Sequence, residues 1–514
     1  MRPIDLELPE KFDEFRKGQL EIAARINVSD KYAFLLDAPT GIGKSLIAAT
    51  VQRLSATNLL YVCTTKQLQD QLLNDFPYAK TVKGRGNYAC LKYENMFPEI
   101  SAEECTHKTG HECEFYGRCP YIVAKREALH APIGVLNTAY FLSEANYVGM
   151  FSDSKMLVID EFDTVEDQLM NFIQVVITQR QISRLQLPSP RYKTKFESWI
   201  EWANQTLHII EPELGRLNQL DDSSSWSPMD FKSIRRMKEL TRLVSKLRFF
   251  VSEVDKNWIW YPGSDKWVFK PVWVSKYALN AIWKHTKKVL GMSATILDPR
   301  QVALNTGLAR EGGTYNYRAL PSPFPKDNRP VYFEPCADIV TKQLDTALPL
   351  LAKAVQRIMN NHPGERILIH TVSYKVRNFL LNKIQSDRFI THSAVDRAVV
   401  LEKFKTSDKP YVLLSPSMDR GVDLPDVACR VVIIAKVPYG DLGDAQVNKR
   451  VHASKDGENW YMHKTVSKII QMSGRAVRSS SDHAITYILD RQFEKIYSKH
   501  KRLFPEWFTE ALIM

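Results

Sequence analysis

Lys44 and Ser45 close the run Ala38-Pro-Thr-Gly-Ile-Gly-Lys-Ser45, whose residue types and spacing suit a bound polyphosphate. The glycines let the backbone turn its N–H groups toward an anion. Lys44 supplies a cation for the outer phosphates, and the Ser45 hydroxyl can hold Mg²⁺. The candidate nucleotide-binding residues are therefore Ala38, Pro39, Thr40, Gly41, Ile42, Gly43, Lys44 and Ser45. Ala38 stands where the strict pattern has glycine. Downstream, Met156-Leu-Val-Ile-Asp-Glu-Phe-Asp163 is an apolar run ending in carboxylates. An Asp at the end of a strand is where a phosphate-loop enzyme holds Mg²⁺, which points to Asp160. Glu161 beside it is placed to orient and deprotonate an attacking water. In Gln471-Met-Ser-Gly-Arg-Ala-Val-Arg478, Arg475 and Arg478 are three residues apart and share a helix face. Such a pair could reach a γ-phosphate from a second lobe. Alone, it reads equally well as a surface helix.

These residues need elements to position them. Ala33-Phe-Leu-Leu36 before the loop and Leu46-Ile-Ala-Ala-Thr-Val51 after it read as strand, then helix. Strand-like runs recur at residues 59–63, 133–136 and 156–159, and again at 366–370, 411–414, 430–435 and 484–489. Each set alternates with helical patterns, so the expected fold is α/β with two parallel-sheet lobes. Ligands then belong at the carboxyl ends of the strands. Between residues 163 and 261 the pattern turns helical, with runs at 180–187, 196–211 and 229–255. Eight of the ten tryptophans lie between Trp199 and Trp283 and read as an aromatic core of this insertion.

The chain has 514 residues, enough for about three or four domains. Its 44% hydrophobic and 25% charged content is that of a globular protein, and its net charge of +12 suits a polyanionic partner. No apolar run is long enough to span a bilayer, and the N-terminus lacks a signal-peptide pattern. No membrane partner is therefore expected, and a cytoplasmic location follows as the default expectation.

Four of the seven cysteines are bunched, Cys90, Cys105, Cys113 and Cys119, with 14, 7 and 5 residues between them. Without an export signal, this favours metal or cluster ligation over disulfides. The spacing suits either a 4Fe–4S cluster or zinc, and His107 and His111 could serve as zinc ligands. Cys63, Cys336 and Cys429 lie in apolar runs and read as core. The basic row Lys232, Arg235, Arg236, Lys238, Arg242, Lys246 and Arg248 reads as a phosphate-contacting face or as a solvated one.

The order of phosphate loop, Asp-Glu-x-x box, Ser293-Ala-Thr295 and Gln-x-x-Gly-Arg-x-x-Arg resembles the motifs of superfamily 2 helicases. Val82-Lys-Gly-Arg-Gly-Asn-Tyr-Ala-Cys90 and Cys119-Pro-Tyr121 resemble more narrowly the cluster-flanking segments of the XPD/DinG family, of bacterial or phage type. The resemblance runs from about Phe15 to Phe493. It implies ATP, Mg²⁺ and a 4Fe–4S cluster on the four cysteines. It also implies adenine recognition by Arg16 and Gln19, and DNA contact by Thr64, Thr65, Gln67, Thr371, Ser373 and Tyr374. Ser293, Ala294 and Thr295 would couple hydrolysis to lobe movement, and Gly421, Val422 and Asp423 would link ATP to DNA. Gln471, Arg475 and Arg478 would complete the catalytic set with Lys44, Asp160 and Glu161. The box ends Phe162-Asp163 where the family usually has Ala-His, and Arg420 stands where a Glu is frequent.

The implied activity is an ATP-dependent DNA helicase moving 5′-to-3′ on single-stranded DNA and acting at duplex junctions, as a monomer, with protein partners undefined. A nucleic-acid-stimulated ATPase that remodels protein–DNA complexes is the alternative. A decayed zinc-bearing DNA-binding protein is disfavoured by the intact catalytic set. The expected layout is lobe 1 at 1–84, 123–165 and 261–300, a cluster domain at 85–122, a helical arch at 166–260, and lobe 2 at 301–514.

Overall fold

The computed structural model describes the chain except residues 106–112, 220–227, 310–313, 394, 419–423, 425–427 and 475–481. Two seven-stranded parallel sheets organise it. The first runs, in spatial order, Tyr315–Ala319, Ala33–Asp37, Val289–Ser293, Leu157–Asp160, Leu59–Cys63, Ile133–Asn137 and Ala79–Thr81. Its central strands are buried along their whole length, because helices cover both faces. Their continuous apolar runs are the sequence signature of that burial.

The second sheet runs Phe389–Thr391, Val412–Ser415, Ile367–His370, Val431–Ile434, Ile485–Asp490, Val331–Ala337 and Leu512–Ile513. The two sheets are the expected lobes. Each strand read from the sequence lies within one residue of an observed one.

The layout departs from expectation in two places. Tyr315–Ala319 pairs with Ala33–Asp37 at the edge of the first sheet, so the first lobe continues past residue 300. The insertion is also not wholly helical. Val175–Thr178, Lys266–Pro271 and Trp258–Pro262 form a small antiparallel sheet across its expected boundary at 260. Trp258, Trp260 and Trp267 share one face of this sheet, but Ile259, Tyr261 and Val268 on the other are also apolar or aromatic, which hides the period of two.

Against this sheet pack the long helices Phe196–Gln219 and Pro228–Glu253. Trp199, Trp202 and Trp258 are fully buried, and the Trp199 ring meets Trp267 edge-on at 4.9 Å between centroids. The tryptophans there form a core, as edge-to-face packing favours. No helix among the described residues is long and apolar enough to cross a membrane.

Candidate functional site

The phosphate loop leaves strand Ala33–Asp37 and enters helix Lys44–Ser55. Gly41 and Gly43 both have φ of +81°, which side-chain-bearing residues rarely adopt. A Cβ on Gly43 would also stand 2.5 Å from Nε2 of Gln19. Gln19 is buried. Its amide donates to the Ile42 carbonyl at 2.6 Å, and its Oε1 accepts from the Arg16 N–H at 2.7 Å. It therefore braces the loop from behind, with one amide hydrogen left for a ligand. Beside it opens a pocket of about 800 Å³ bordered by Arg16, Lys17, Ile42 and Phe324.

The acidic box follows strand Leu157–Asp160. Register fixes its neighbours: Asp160 lies level with Met292, and Asp37 with Ser293. Asp160 is buried and accepts from the Tyr61 hydroxyl at 3.0 Å and from the Glu161 N–H at 2.9 Å. Glu161 has φ of +54°, a strained conformation for a residue with a Cβ. Its Oε2 accepts from the Thr64 hydroxyl at 2.6 Å. Burial pushes its carboxyl up, Asp160 and Asp163 add to this, and Thr64 and Lys44 oppose it. A carboxylate poised in this way is a better proton acceptor.

The two departures in the box have structural counterparts. The Phe162 ring is fully buried against Gly291, where any Cβ would come within 2.4 Å of it, and it stacks near Trp283. The larger side chain is thus accommodated by a glycine in the neighbouring strand. Asp163 accepts where a His would donate. Its Oδ1 takes the Ser293 hydroxyl at 2.6 Å and its Oδ2 takes the Gln471 amide at 2.9 Å. The same Gln471 amide reaches the Thr295 hydroxyl at 2.9 Å. Gln471 belongs to helix Lys455–Ser473 of the second lobe, so this contact crosses between lobes. Thr40, Lys44, Asp160, Glu161, Asp163, Ser293 and Gln471 line one cleft of about 180 Å³.

Several expected residues lie elsewhere. Ser45 is the second residue of helix Lys44–Ser55, in the first turn after the loop. Thr65 caps helix Lys66–Asp75, while Gln67 is exposed. Thr371 is fully buried and Ser373 caps helix Tyr374–Lys383. Tyr374 is exposed, with the Arg377 guanidinium 4.8 Å from its ring. Arg420, Gly421, Val422, Asp423, Arg475 and Arg478 lie outside the described residues, as do His107 and His111.

Cys90, Cys105, Cys113 and Cys119 are all free and half-buried. Burial pushes the Cys90 thiol up, the Lys92 and Tyr93 amides oppose this, and the Cys105 and Cys113 thiols add to it. Cys105 and Cys113 are thus near enough to Cys90 to influence it. Even so, no group of three His, Cys, Asp or Glu side chains among the described residues is drawn together tightly enough to hold a metal ion.

The basic row is largely engaged within the protein. Arg235 pairs with Glu104, Arg242 with Glu103, Arg236 with Glu213 and Arg248 with Glu211. Lys238 donates to the backbone carbonyls of Glu103 and Cys105. Most of this face therefore packs onto the cysteine-bearing segment or the facing helix. Lys232, Arg235, Arg242, Lys246 and Arg248 nevertheless keep exposed side chains.

Asp37 was not singled out from the sequence, although it adjoins Ala38. Burial pushes its carboxyl from 3.8 to about 6, Leu297 N–H and Tyr317 hydroxyl oppose this, and its Oδ1 has no hydrogen-bond partner. Folding thus favours the protonated form. That stability is complete below about pH 4 and lost as pH rises through about 6. Asp37→Asn should therefore stabilise the nucleotide-free protein at pH 7.5 by on the order of 3 kcal/mol, with the gain vanishing below pH 4. Denaturant melts of both proteins across that range check this, and a pH-independent difference rejects it.

Comparison with known proteins agrees with this geometry. The DEAD/DEAH box helicase profile matches residues 16–195, and the helicase C-terminal domain profile matches residues 355–511. The ATP-dependent DNA helicase YoaA of Haemophilus influenzae is 21% identical, over 93% of this chain and 91% of its own. The ATP-dependent DNA helicase DinG of Photobacterium profundum is 26% identical over 41% of this chain and 32% of its own. The solved structure of an XPD helicase has the same fold, with TM-score 0.66 and 16% identity over 97% of this chain and 99% of that one.

Proposed function

We propose how this chain, an XPD/DinG-like superfamily 2 helicase and an ATP-hydrolysing enzyme, uses its cleft: ATP turnover drives it along single-stranded DNA, 5′-to-3′, and parts duplexes at junctions. Lys44 and the loop amides hold the β- and γ-phosphates, while Ser45 and Asp160 hold Mg²⁺. Glu161 takes the proton of the attacking water, and Thr64 keeps that carboxylate aimed. By the resemblance, Arg475 and Arg478 would neutralise charge on the γ-phosphate, and Asp423 would link the nucleotide to DNA. Adenine lies beside Gln19 in the pocket bordered by Arg16 and Phe324.

The observation that carries this reading is the Gln471 amide, shared between Asp163 and Thr295. It makes the second lobe part of the wall of the phosphate cleft, so turnover and lobe closure are coupled. Net charge of +12 and the exposed Tyr374 ring suit a nucleic-acid track.

Cys90, Cys105, Cys113 and Cys119 fit a 4Fe–4S cluster as a donor set: four free, half-buried thiols in a short segment. Bound there, the cluster would cross-link a segment that buries little core of its own. Helix Pro228–Glu253, seated on that segment through Arg235, Lys238 and Arg242, then serves as the arch over the DNA path.

The test is ATP turnover with and without single-stranded DNA, beside strand displacement on duplexes carrying a 5′ or a 3′ overhang. Stimulated turnover with displacement from the 5′ overhang is expected. Stimulation without displacement from either overhang would point to remodelling, and turnover indifferent to DNA would overturn the reading.

A further inference from the structure

Helix Lys455–Ser473 belongs to the second lobe but lies along the first. Its contacts there come from Trp460, His463, Lys464 and Gln471, spaced so that one helix face makes them all. At the far end from Gln471 is a buried charged cluster with no part in the chemistry above. Glu166 sits in helix Val165–Ile173, three residues beyond Asp163. Its Oε1 accepts from Nη1 of Arg450 at 2.6 Å. Its Oε2 accepts from the Trp460 indole at 3.0 Å and lies 3.2 Å from the Lys464 ammonium. The Glu166 and Arg450 side chains are each only 4% exposed. The Arg450 guanidinium also donates to the Val272 carbonyl and lies 4.7 Å from the Trp273 ring and 4.6 Å from the Trp460 ring. Three parts of the molecule meet at this carboxylate: the helix leaving the acidic box, the segment after the small antiparallel sheet, and the second lobe.

We propose that Glu166 and Arg450 are positioning residues that fix the register of helix Lys455–Ser473 on the first lobe. Through that register they set the rate of ATP hydrolysis without contributing to ATP binding. The proposal rests on the reading of the cleft as the hydrolytic site. A slip of one helical turn is about 5.4 Å. It would carry Gln471, at 2.9 Å from both acceptors, out of reach of Asp163 and Thr295. Arg475 and Arg478 follow this helix directly in the chain, so its register also governs where their segment begins. The geometry restricts both sliding and rotation. The carboxylate is held through both oxygens, and the planar guanidinium is confined by two aromatic rings set at 83° to each other. His463 adds a third fixed point, its Nε2 lying 2.7 Å from the Ile296 carbonyl next to the Ser-Ala-Thr segment. Burial would raise the Glu166 carboxyl, but Lys464 and Arg450 hold it at about 2, so the cluster stays charged at working pH.

The experiment compares Glu166→Gln, Arg450→Met and the double variant. Glu166→Gln leaves Arg450 buried without its carboxylate, and Arg450→Met leaves Glu166 with Lys464 as its one cation, so each single variant melts lower; removing both restores much of the melting temperature. A positioning role predicts that kcat stays about tenfold down in all three while the Kd of a fluorescent ATP analogue moves less than threefold. It also predicts faster amide exchange in helix Lys455–Ser473 relative to helix Leu344–Asn361 of the same lobe. If a single variant does not fold, the double variant and Lys464→Met carry the test. Recovery of kcat together with melting temperature in the double variant would reduce the cluster to a stabilising one and overturn the proposal. Loss of ATP binding in step with kcat would overturn it as well. A wild-type protein without ATPase activity would reject the reading of the cleft instead, and the exchange measurement would still judge the positioning.

Discussion

Lys44→Ala removes ATP hydrolysis to background, because the outer phosphates lose the one loop cation placed to neutralise them. Glu161→Gln has a different signature. The amide keeps the hydrogen-bonding shape but cannot accept the water's proton, so ATP still binds while turnover falls by on the order of 10²-fold or more. Thr64 aims this carboxylate at 2.6 Å, so Thr64→Val should lower kcat in the same direction by a smaller factor. The raised Glu161 carboxyl fixes a sign as well. The base is competent only when ionised, so kcat falls as pH drops through its raised value, and the acidic limb lies above that of an ordinary glutamate. Steady-state ATPase across pH, with a parallel binding measurement, checks all of this. DNA-stimulated turnover near wild type in Lys44→Ala or Glu161→Gln rejects the assignment.

Cys113→Ser is the second large effect. On the proposal that the four thiols hold one cluster, anaerobically purified wild type should be brown with close to four irons per chain, and the variant should lose most of them. The consequence reaches the helix seated above. Lys238 caps the Cys105 carbonyl, while Arg235 and Arg242 pair with Glu104 and Glu103 on the same short segment. When that segment unfolds, helix Pro228–Glu253 loses its seat. Strand separation should therefore fall much further than basal ATPase, since the phosphate cleft is built from other strands. Stoichiometric zinc without iron refutes the cluster, and full unwinding by metal-free Cys113→Ser refutes its role.

Why some of this was legible in the sequence and some was not follows from what each pattern encodes. Continuous apolar runs ending in Asp or small hydroxyl residues read as buried parallel strands, because a strand covered on both faces has no polar alternation to confuse the period. The glycines of the phosphate loop are equally explicit, since positive φ leaves few other residue types available. The small antiparallel sheet was missed for the opposite reason: Trp258, Trp260 and Trp267 share one face, and Ile259, Tyr261 and Val268 on the other are not polar enough to mark the alternation. Tyr315–Ala319 was assigned to the wrong lobe because its partner, Ala33–Asp37, is nearly the whole lobe away in sequence.

The available chemistry is written in residue types and short spacings: a lysine and hydroxyl on a glycine loop, carboxylates after a strand, an arginine pair, and four bunched thiols. Those follow from residue type and short spacing, which local backbone geometry converts directly into position. Which groups face one another depends instead on long-range packing. Asp163 replaces a donor with an acceptor and still holds Ser293 and Gln471. The basic row meets Glu103, Glu104, Glu211 and Glu213. Glu166 finds Arg450 some 284 residues along the chain. Each of these is set by how the two sheets and the insertion pack together. A charge in a sequence records its own cost of burial, and the group that offsets that cost is supplied by the fold.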